Sequence, residues 1–426
     1  MMVITNLPAP NFSNLAVESS TINFLCSYGG RIHYNTATRS NQGWIHNNKK
    51  MQTQSPNCMG SSFIFPVHAD VYPNGFFFVY VIIGNPPKTY HLDIDTGSDL
   101  TWVQCEVPAK LHKPHHNSYK PKNNVVCCKD PLCASVNQPP DHPCRSPNDR
   151  CHYVVEYADH SSSLGVLVRD YFTFNKAANR HILAFGCGYH QKFSDPSPLP
   201  VDGVFGLADG KSSILRQLHS LSLTRNVIGH CFSRRGGGFL FFGDGLIPSG
   251  IVWTPMETNP LNHYLSGPVD LLLGEQTLVA ENLDIVFDSG STYTYLNSHT
   301  YNNTLRWGEC FQIMTELKTK PLKAVEDELP ACWKGAKPFR SIEAVKNYFS
   351  PLVLRFRNNV RFALPPENYL IVTSRGNVCM GILNAGEINL EHPNIIGDIS
   401  MLDKVVVYDN ERRMIGWASS NCDRRF

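Results

Sequence analysis

The sequence predicts a mostly β protein built from two β-rich lobes related by internal duplication, with a few short helices. Three observations predict it. Short runs of β-branched and aromatic residues, separated by Gly, Pro, Asn and Asp, fill the chain from about residue 62 onward. Leu92-Asp93-Ile94-Asp95-Thr96-Gly97-Ser98-Asp99-Leu100-Thr101 recurs as Asp284-Ile285-Val286-Phe287-Asp288-Ser289-Gly290-Ser291-Thr292-Tyr293. Each copy is followed far downstream by an apolar-apolar-Gly element, first Gly203-Val204-Phe205-Gly206-Leu207 and then Asn394-Ile395-Ile396-Gly397-Asp398.

In chain order, residues 1–62 are polar and aperiodic and read as a disordered or processed leader. Residues 63–255 form an N-terminal β lobe carrying Asp95, and residues 256–426 a C-terminal β lobe carrying Asp288. Residues 76–83 read as a strand ending in the turn Gly84-Asn85-Pro86-Pro87, and residues 90–94 as a strand ending at Asp95. Helical spacing appears at Ile214, Leu215, Leu218 and Leu221 within residues 213–221. Further helices are expected over 300–317 and 341–349, the latter opened by Ser341-Ile342-Glu343. Gly236-Gly237-Gly238 lacks the Lys-Ser or Lys-Thr of a phosphate loop. The run Phe239 to Phe242 followed by Gly243-Asp244-Gly245 reads instead as a hairpin.

Composition narrows the class. The chain has 426 residues, 42% of them hydrophobic, enough for a large core. Its net charge of +2 with scattered basic residues offers no footprint for nucleic acid. No segment approaches the ~18 apolar residues of a membrane span, and the C-terminus has no hydrophobic tail for a lipid anchor. Of 14 cysteines, twelve lie from Cys105 onward, and could form six bridges. The gaps Cys128 to Cys133, Cys133 to Cys144 and Cys144 to Cys151 are irregular, unlike paired zinc ligands, so stapled loops are favoured over a metal. This points to the secretory pathway, extracellular or vacuolar, although no signal peptide is visible at the N-terminus. Lys110, His112, Lys113, His115 and His116 lack a supporting Cys or carboxylate set, so no metal and no cofactor is expected. Asn302-Asn303-Thr304 is a candidate glycan site if the chain is secreted.

The repeat carries the chemistry. A single Asp-Thr-Gly is an ordinary turn. Two copies, each at the end of an apolar strand, can face two carboxylates across one site. Glycine allows the tight turn and close approach. Adjacent carboxylates share one proton, so one can act as base and the other as acid. Asp95 and Asp288 are therefore the candidate catalytic pair.

These residues, together with Thr101-Trp102, Phe185-Gly186-Cys187-Gly188, Gly236 to Asp244, Cys332-Trp333-Lys334-Gly335 and Ile396-Gly397-Asp398 to Ile415-Gly416-Trp417, resemble the pepsin-like aspartic proteases, and within them the plant nucellin-like group. The resemblance spans residues 65–422. It implies a bilobal acid protease fold, an aspartic endopeptidase acting as a monomer on peptide or protein substrates, Thr96 and Ser289 clasping the two loops, and Ser98 and Ser291 as outer partners of the carboxylates. Gly97 and Gly290 are placed with the substrate site. It also implies a flap over residues 153–168, with Tyr157 as its tyrosine and Trp102 as the neighbour of that tyrosine. By the same resemblance the disulfides are Cys187–Cys422 and Cys332–Cys379, while the stretch 306–312 looks unlike the family, which leaves the pairing of Cys310 open. His160 stands where the family places glycine, and is read either as a tolerated turn residue or as the source of a flap with altered closure or a pH-sensitive tip. The alternative function is a catalytically weak or inactive binding or inhibitor protein on the same scaffold, but both active-site motifs are whole.

Overall fold

The computed structural model describes residues 62–68, 75–106, 117–174, 180–192, 201–306, 320–321, 329–390 and 393–423. The expected leader (save Ser62), the basic-histidine stretch over 107–116 and Cys310 lie outside these residues.

The apolar run after Gly75 forms the strand Phe78–Ile83, which pairs antiparallel with Lys88–Asp95 across the predicted turn. Lys88–Asp95 alternates until it enters the core, where Leu92 and Ile94 are buried on one face. Asp93 and Asp95 share the other face and are also buried. On its far side this strand pairs in parallel with Gly203–Gly206, setting Asp95 opposite Gly206. The short strand Trp102–Gln104 runs antiparallel to Gly203–Gly206 and parallel to Arg180–Lys192.

The second half repeats this connectivity. The strand Gln276–Phe287 pairs in parallel with Asn394–Ile396, setting Phe287 opposite Ile396. Thr294–Leu296 pairs antiparallel with Asn394–Ile396 and parallel with Ile382–Asn384. Both copies of the sequence repeat are thus strand, loop and crossing strand in the same order. The molecule is mostly β with few helices, as the sequence predicts.

Among the described residues there are three sheets, of thirteen, seven and four strands. The largest is not confined to one half of the chain. Lys404–Asp409 pairs with Val227–Phe232, and Met414–Ser419 joins Lys404–Asp409 to Val252–Pro255. Aromatic side chains fill both halves. Phe65 packs on Phe174, Phe205 and Phe242 in one, and Phe287 on Phe356, Phe362 and Trp417 in the other.

Several local expectations are corrected. Residues 341–349 form two short 3-10 turns, Ile342–Ala344 and Lys346–Tyr348, rather than an α-helix. Ser341 occupies the cap position without making a side-chain cap hydrogen bond, and Val345 is the only buried side chain of the segment that joins the core. The helix expected over 300–317 is Ser298–Arg306 within the described residues, and residues 213–221 give the helix Ile214–Ser220, capped by the Ser213 hydroxyl. The hairpin involving Phe239 to Phe242 turns at 233–237, where Gly236 and Gly237 have positive φ, and joins Val227–Phe232 to Gly238–Phe242.

The disulfides also differ. Cys187 bonds Cys105, and Cys422 bonds Cys231, so the expected Cys187–Cys422 bridge is absent. Strand register explains this. Cys187 lies opposite Val103, which places Cys105 beside it, whereas Cys422 follows the strand pair that sets Val405 against Cys231. Cys332–Cys379 is present across two paired strands. Cys128–Cys144 and Cys133–Cys151 staple the loop before the flap hairpin, so the three clustered sulfurs of Cys128, Cys133 and Cys144 are all bonded. Among the described residues there are five bridges and Cys127 is free.

Candidate active site

The two strand-to-loop corners meet where the halves of the chain meet. The Thr96 backbone N–H donates to the Ser289 hydroxyl at 3.1 Å, and the Ser289 backbone N–H donates to the Thr96 hydroxyl at 2.8 Å. Each hydroxyl then donates onward across the boundary, Thr96 to the Phe287 carbonyl at 3.0 Å and Ser289 to the Ile94 carbonyl at 2.8 Å. Both side chains are buried. Two reciprocal bonds between Thr96 and Ser289, and two more from their hydroxyls to backbone carbonyls across the boundary, fix the two loops in register, since buried groups of this kind lose far more than a surface contact when a partner is removed.

Each carboxylate is held by its own loop. Gly97 N–H donates to Asp95 Oδ1 at 2.8 Å, and Ser98 Oγ donates to Asp95 Oδ2. Gly290 N–H donates to Asp288 Oδ1 at 2.9 Å, and Ser291 Oγ to Asp288 Oδ2 at 3.3 Å. The glycines also face the opposite aspartate. A Cβ on Gly97 would stand 2.5 Å from Asp288 Oδ1, and one on Gly290 would overlap Asp95 Oδ1. The close approach of the two loops therefore requires glycine at both positions.

The electrostatics follow from this burial. Desolvation, and then the neighbouring Asp288 charge, push the Asp95 carboxyl up to about 7. Two carboxyls this close retain one proton between them, and that proton belongs to the pair.

The segment expected as the flap forms a hairpin of His152–Glu156 and Ser162–Thr173. Trp102 Nε1 donates to the Tyr157 hydroxyl at 2.7 Å, which ties the flap base to the strand beyond the first aspartate loop. His160 at the tip has φ 65°, the left-handed region that favours glycine, and its side chain is exposed. Ser161 N–H and Oγ both donate to Asp159 Oδ1, closing the tip.

The structure adds residues that the motifs did not single out. Asp93 and Asp398 are both buried, and burial pushes each carboxyl well above the usual range; the Asp95 charge adds to this at Asp93, and the Asp93 charge at Asp398. Among the described residues Asp93 Oδ1 and both Asp398 oxygens find no hydrogen-bond partner. The signal for Asp93 was available: it stands two residues before Asp95 in an apolar strand, hence on the same face. Tyr264 hydroxyl donates to the Leu207 carbonyl at 2.7 Å, bridging the halves beside the site, and no sequence pattern marks it.

The chain matches two family profiles that together cover most of it, described as xylanase inhibitor N-terminal over residues 77–244 and xylanase inhibitor C-terminal over residues 271–419. It is 40% identical over 388 residues to an aspartic proteinase of Oryza sativa subsp. indica, covering 85% of this chain and 92% of that protein. Among solved structures it resembles basic 7S globulin from soybean, with a TM-score of 0.66 and 16% identity over 85% of this chain and 95% of that one. It also resembles the aspartic proteinase from Irpex lacteus, with a TM-score of 0.60 and 17% identity over 85% of this chain and 98% of that one. At such identities the two solved structures speak for the fold.

Proposed function

The chain belongs to the pepsin-like aspartic protease family of plants, and from that membership we propose that it is an active aspartic endopeptidase with Asp95 and Asp288 as its catalytic pair. The observation that carries the reading is the cross-clasped pair of loops, each holding one carboxylate through a glycine N–H and a serine hydroxyl. The ionised carboxyl takes a proton from a water as that water attacks the peptide carbon. The neutral carboxyl gives its proton to the carbonyl oxygen, forming a tetrahedral diol. Collapse of the diol returns one proton to the pair and delivers the other to the departing amine. Substrate is an extended peptide beneath the flap, positioned by Tyr157, which the Trp102 indole N–H holds in place.

The proton on the pair sets the pH dependence. With the Asp95 carboxyl raised to about 7, activity is present on the acid side and falls as pH rises through neutrality. Five disulfides support an oxidising compartment, extracellular or vacuolar. Among the described residues no helix is long and apolar enough to cross a membrane. The nucellin-like grouping and a monomeric state complete the reading.

A catalytically weak or inactive binding or inhibitory role is the second reading, supported by the description of the matching profiles. The intact loops favour the enzyme. The test is hydrolysis of a quenched peptide between pH 3 and 7 by the folded, processed protein, with and without pepstatin. Cleavage blocked by pepstatin is expected; no cleavage of any peptide in a diverse library would leave the binding role.

A further inference from the structure

The strand Arg180–Lys192 has an edge that the fold fills only in part. On one side it pairs antiparallel with Ser162–Thr173. In such a pair, successive residues turn their N–H and C=O alternately toward the partner strand and away from it. The hydrogen bonds fix which residues turn away. Gly186 N–H donates to the Thr101 carbonyl at 2.8 Å. Ala184 N–H donates to Gln217 Oε1 at 2.7 Å, and Gln217 Nε2 donates to the Ala184 carbonyl at 2.9 Å. The Gln217 amide thus stands in for a strand residue, and its Nε2 also donates to the Ser212 carbonyl at 2.9 Å. The partner strand agrees. Opposite Ala184, Arg169 gives its N–H to the Asn124 carbonyl, and opposite Ile182, the Tyr171 carbonyl accepts from Gly84 N–H. Ile182 follows Ala184 on the same parity. Its N–H and C=O therefore face outward, and no described residue pairs with them.

Beside this open position runs a groove of about 400 Å³. Ile182 and Leu183 line it from the strand, Gln217 and Leu221 from the helix Ile214–Ser220 and its end, and Leu132 from the loop stapled by Cys128–Cys144 and Cys133–Cys151. Ile182 and Leu221 are each 52% exposed. An open strand edge beside exposed apolar side chains is a template for another extended chain. The charge left over is positive. Asp130, the one acid in the lining, is closed by Arg169 at 2.9 Å. Arg216 faces Asp209 at 3.7 Å, whereas exposed Lys211 has no ion-pair partner among the described residues. We propose that this edge docks an extended segment of a partner protein. That segment pairs with the Ile182 backbone, sets an apolar side chain between Ile182 and Leu221, and presents an acidic residue to Lys211. Such docking uses neither aspartate of the pair and is independent of the peptidase reading.

The probe is a fluorescent peptide of alternating valine and threonine with one leucine and one glutamate, followed by anisotropy. The full chain carries Asp95→Asn, so that cleavage does not consume the peptide, and pepstatin is present to fill the aspartate cleft. Ile182→Pro removes the outward N–H at a position where a strand edge accepts proline. It is expected to weaken binding about tenfold, the weight of one backbone hydrogen bond. Lys211→Glu changes only an exposed charge, so it tests the site even if Ile182→Pro fails to fold. It is expected to weaken binding about threefold, as a surface ion pair would, and to leave a peptide with glutamine in place of glutamate unaffected. Equal binding of the glutamate peptide to the parent chain and Lys211→Glu would overturn the proposal, as would no binding at millimolar peptide. Amide exchange followed by NMR supplies a readout free of the probe's label. The Ile182 amide is expected to exchange fast in the free monomer and to slow when peptide is added. Protection already present in the free monomer would overturn the proposal, because the chain itself then covers the edge. Protection that appears only with dimerisation at high protein concentration would also overturn it, and would assign the edge to a second copy of this chain.

Discussion

Gly97 and Gly290 each serve two ends: the N–H holds one aspartate and the missing side chain admits the other. Gly97→Ala is accordingly expected to push the two loops apart, lowering the thermal midpoint and costing about 100-fold or more in kcat/KM, because a displacement of about an ångström at reacting groups costs that much. Steady-state kinetics beside a melting curve check this. Asp93 and Asp398 make a different prediction. Their folded pKa values are raised, so the stability they allow is fully present below the ordinary carboxylate pKa near 3.8 and is lost as pH rises through the raised values. Asp93→Asn keeps the shape without the charge. Denaturant unfolding at pH 4 and pH 7 is expected to show a smaller loss of stability over that interval in the variant than in the wild type. An equal loss would mean that the Asp93 carboxyl titrates alike in the folded and unfolded chain, so that its folded pKa is not raised. Asp93 could have been read from its place on the same strand face as Asp95, whereas Asp398 could not, because the buried acids around it come from the other half of the chain.

At the scale of elements, the flap and the disulfides show where pattern reading succeeds and where it stops. The hairpin expected as the flap was identified through the family resemblance over residues 153–168, and the structure forms a hairpin there in which His160 takes the positive φ that its position demands. His160→Gly is expected to leave the pH profile of kcat/KM unchanged and to stabilise the protein by about 1 kcal/mol, the usual cost of the left-handed region for a residue with a Cβ. A shifted profile would assign the tip an ionising role. The Cys187–Cys422 expectation failed because a bridge depends on which strands lie side by side, and that register is tertiary. Cys231–Cys422 anchors the C-terminal segment to the large sheet across 191 residues. Replacing both by serine is expected to cost about 2–5 kcal/mol in denaturant unfolding, as expected for loss of a native bridge. The 341–349 segment failed for another reason. A serine and a glutamate can open a helix, but Val345 alone among its side chains is fully buried, too little apolar contact to hold a continuous one.

At the scale of the whole molecule, the duplication was written in the chain, and it explains most of the fold. Two copies of strand, aspartate loop and returning apolar-Gly strand have the same connectivity. The sheet that joins the halves was not written in the same way, because Lys404–Asp409 looks like any buried strand until its partner Val227–Phe232 is known. One further pH effect belongs to this scale. His230, fully buried in that sheet, has its pKa lowered by desolvation to about 3. The stability it allows is full above the ordinary histidine pKa near 6.5 and is lost as pH falls toward that lowered value, opposite in sign to the buried carboxyls. The two effects together place the stability maximum between the acid and neutral extremes, a maximum that thermal melts across pH would locate.

The central claim is that one proton shared by Asp95 and Asp288 drives peptide hydrolysis. The most direct measurement is kcat/KM on a quenched peptide at the pH optimum for the wild type, Asp95→Asn and Asp288→Asn, each shown to be folded. The account predicts that either substitution alone reduces kcat/KM by at least about 1,000-fold, since a proton donor and acceptor must act together. Cleavage that survives both substitutions at near wild-type rate would contradict it.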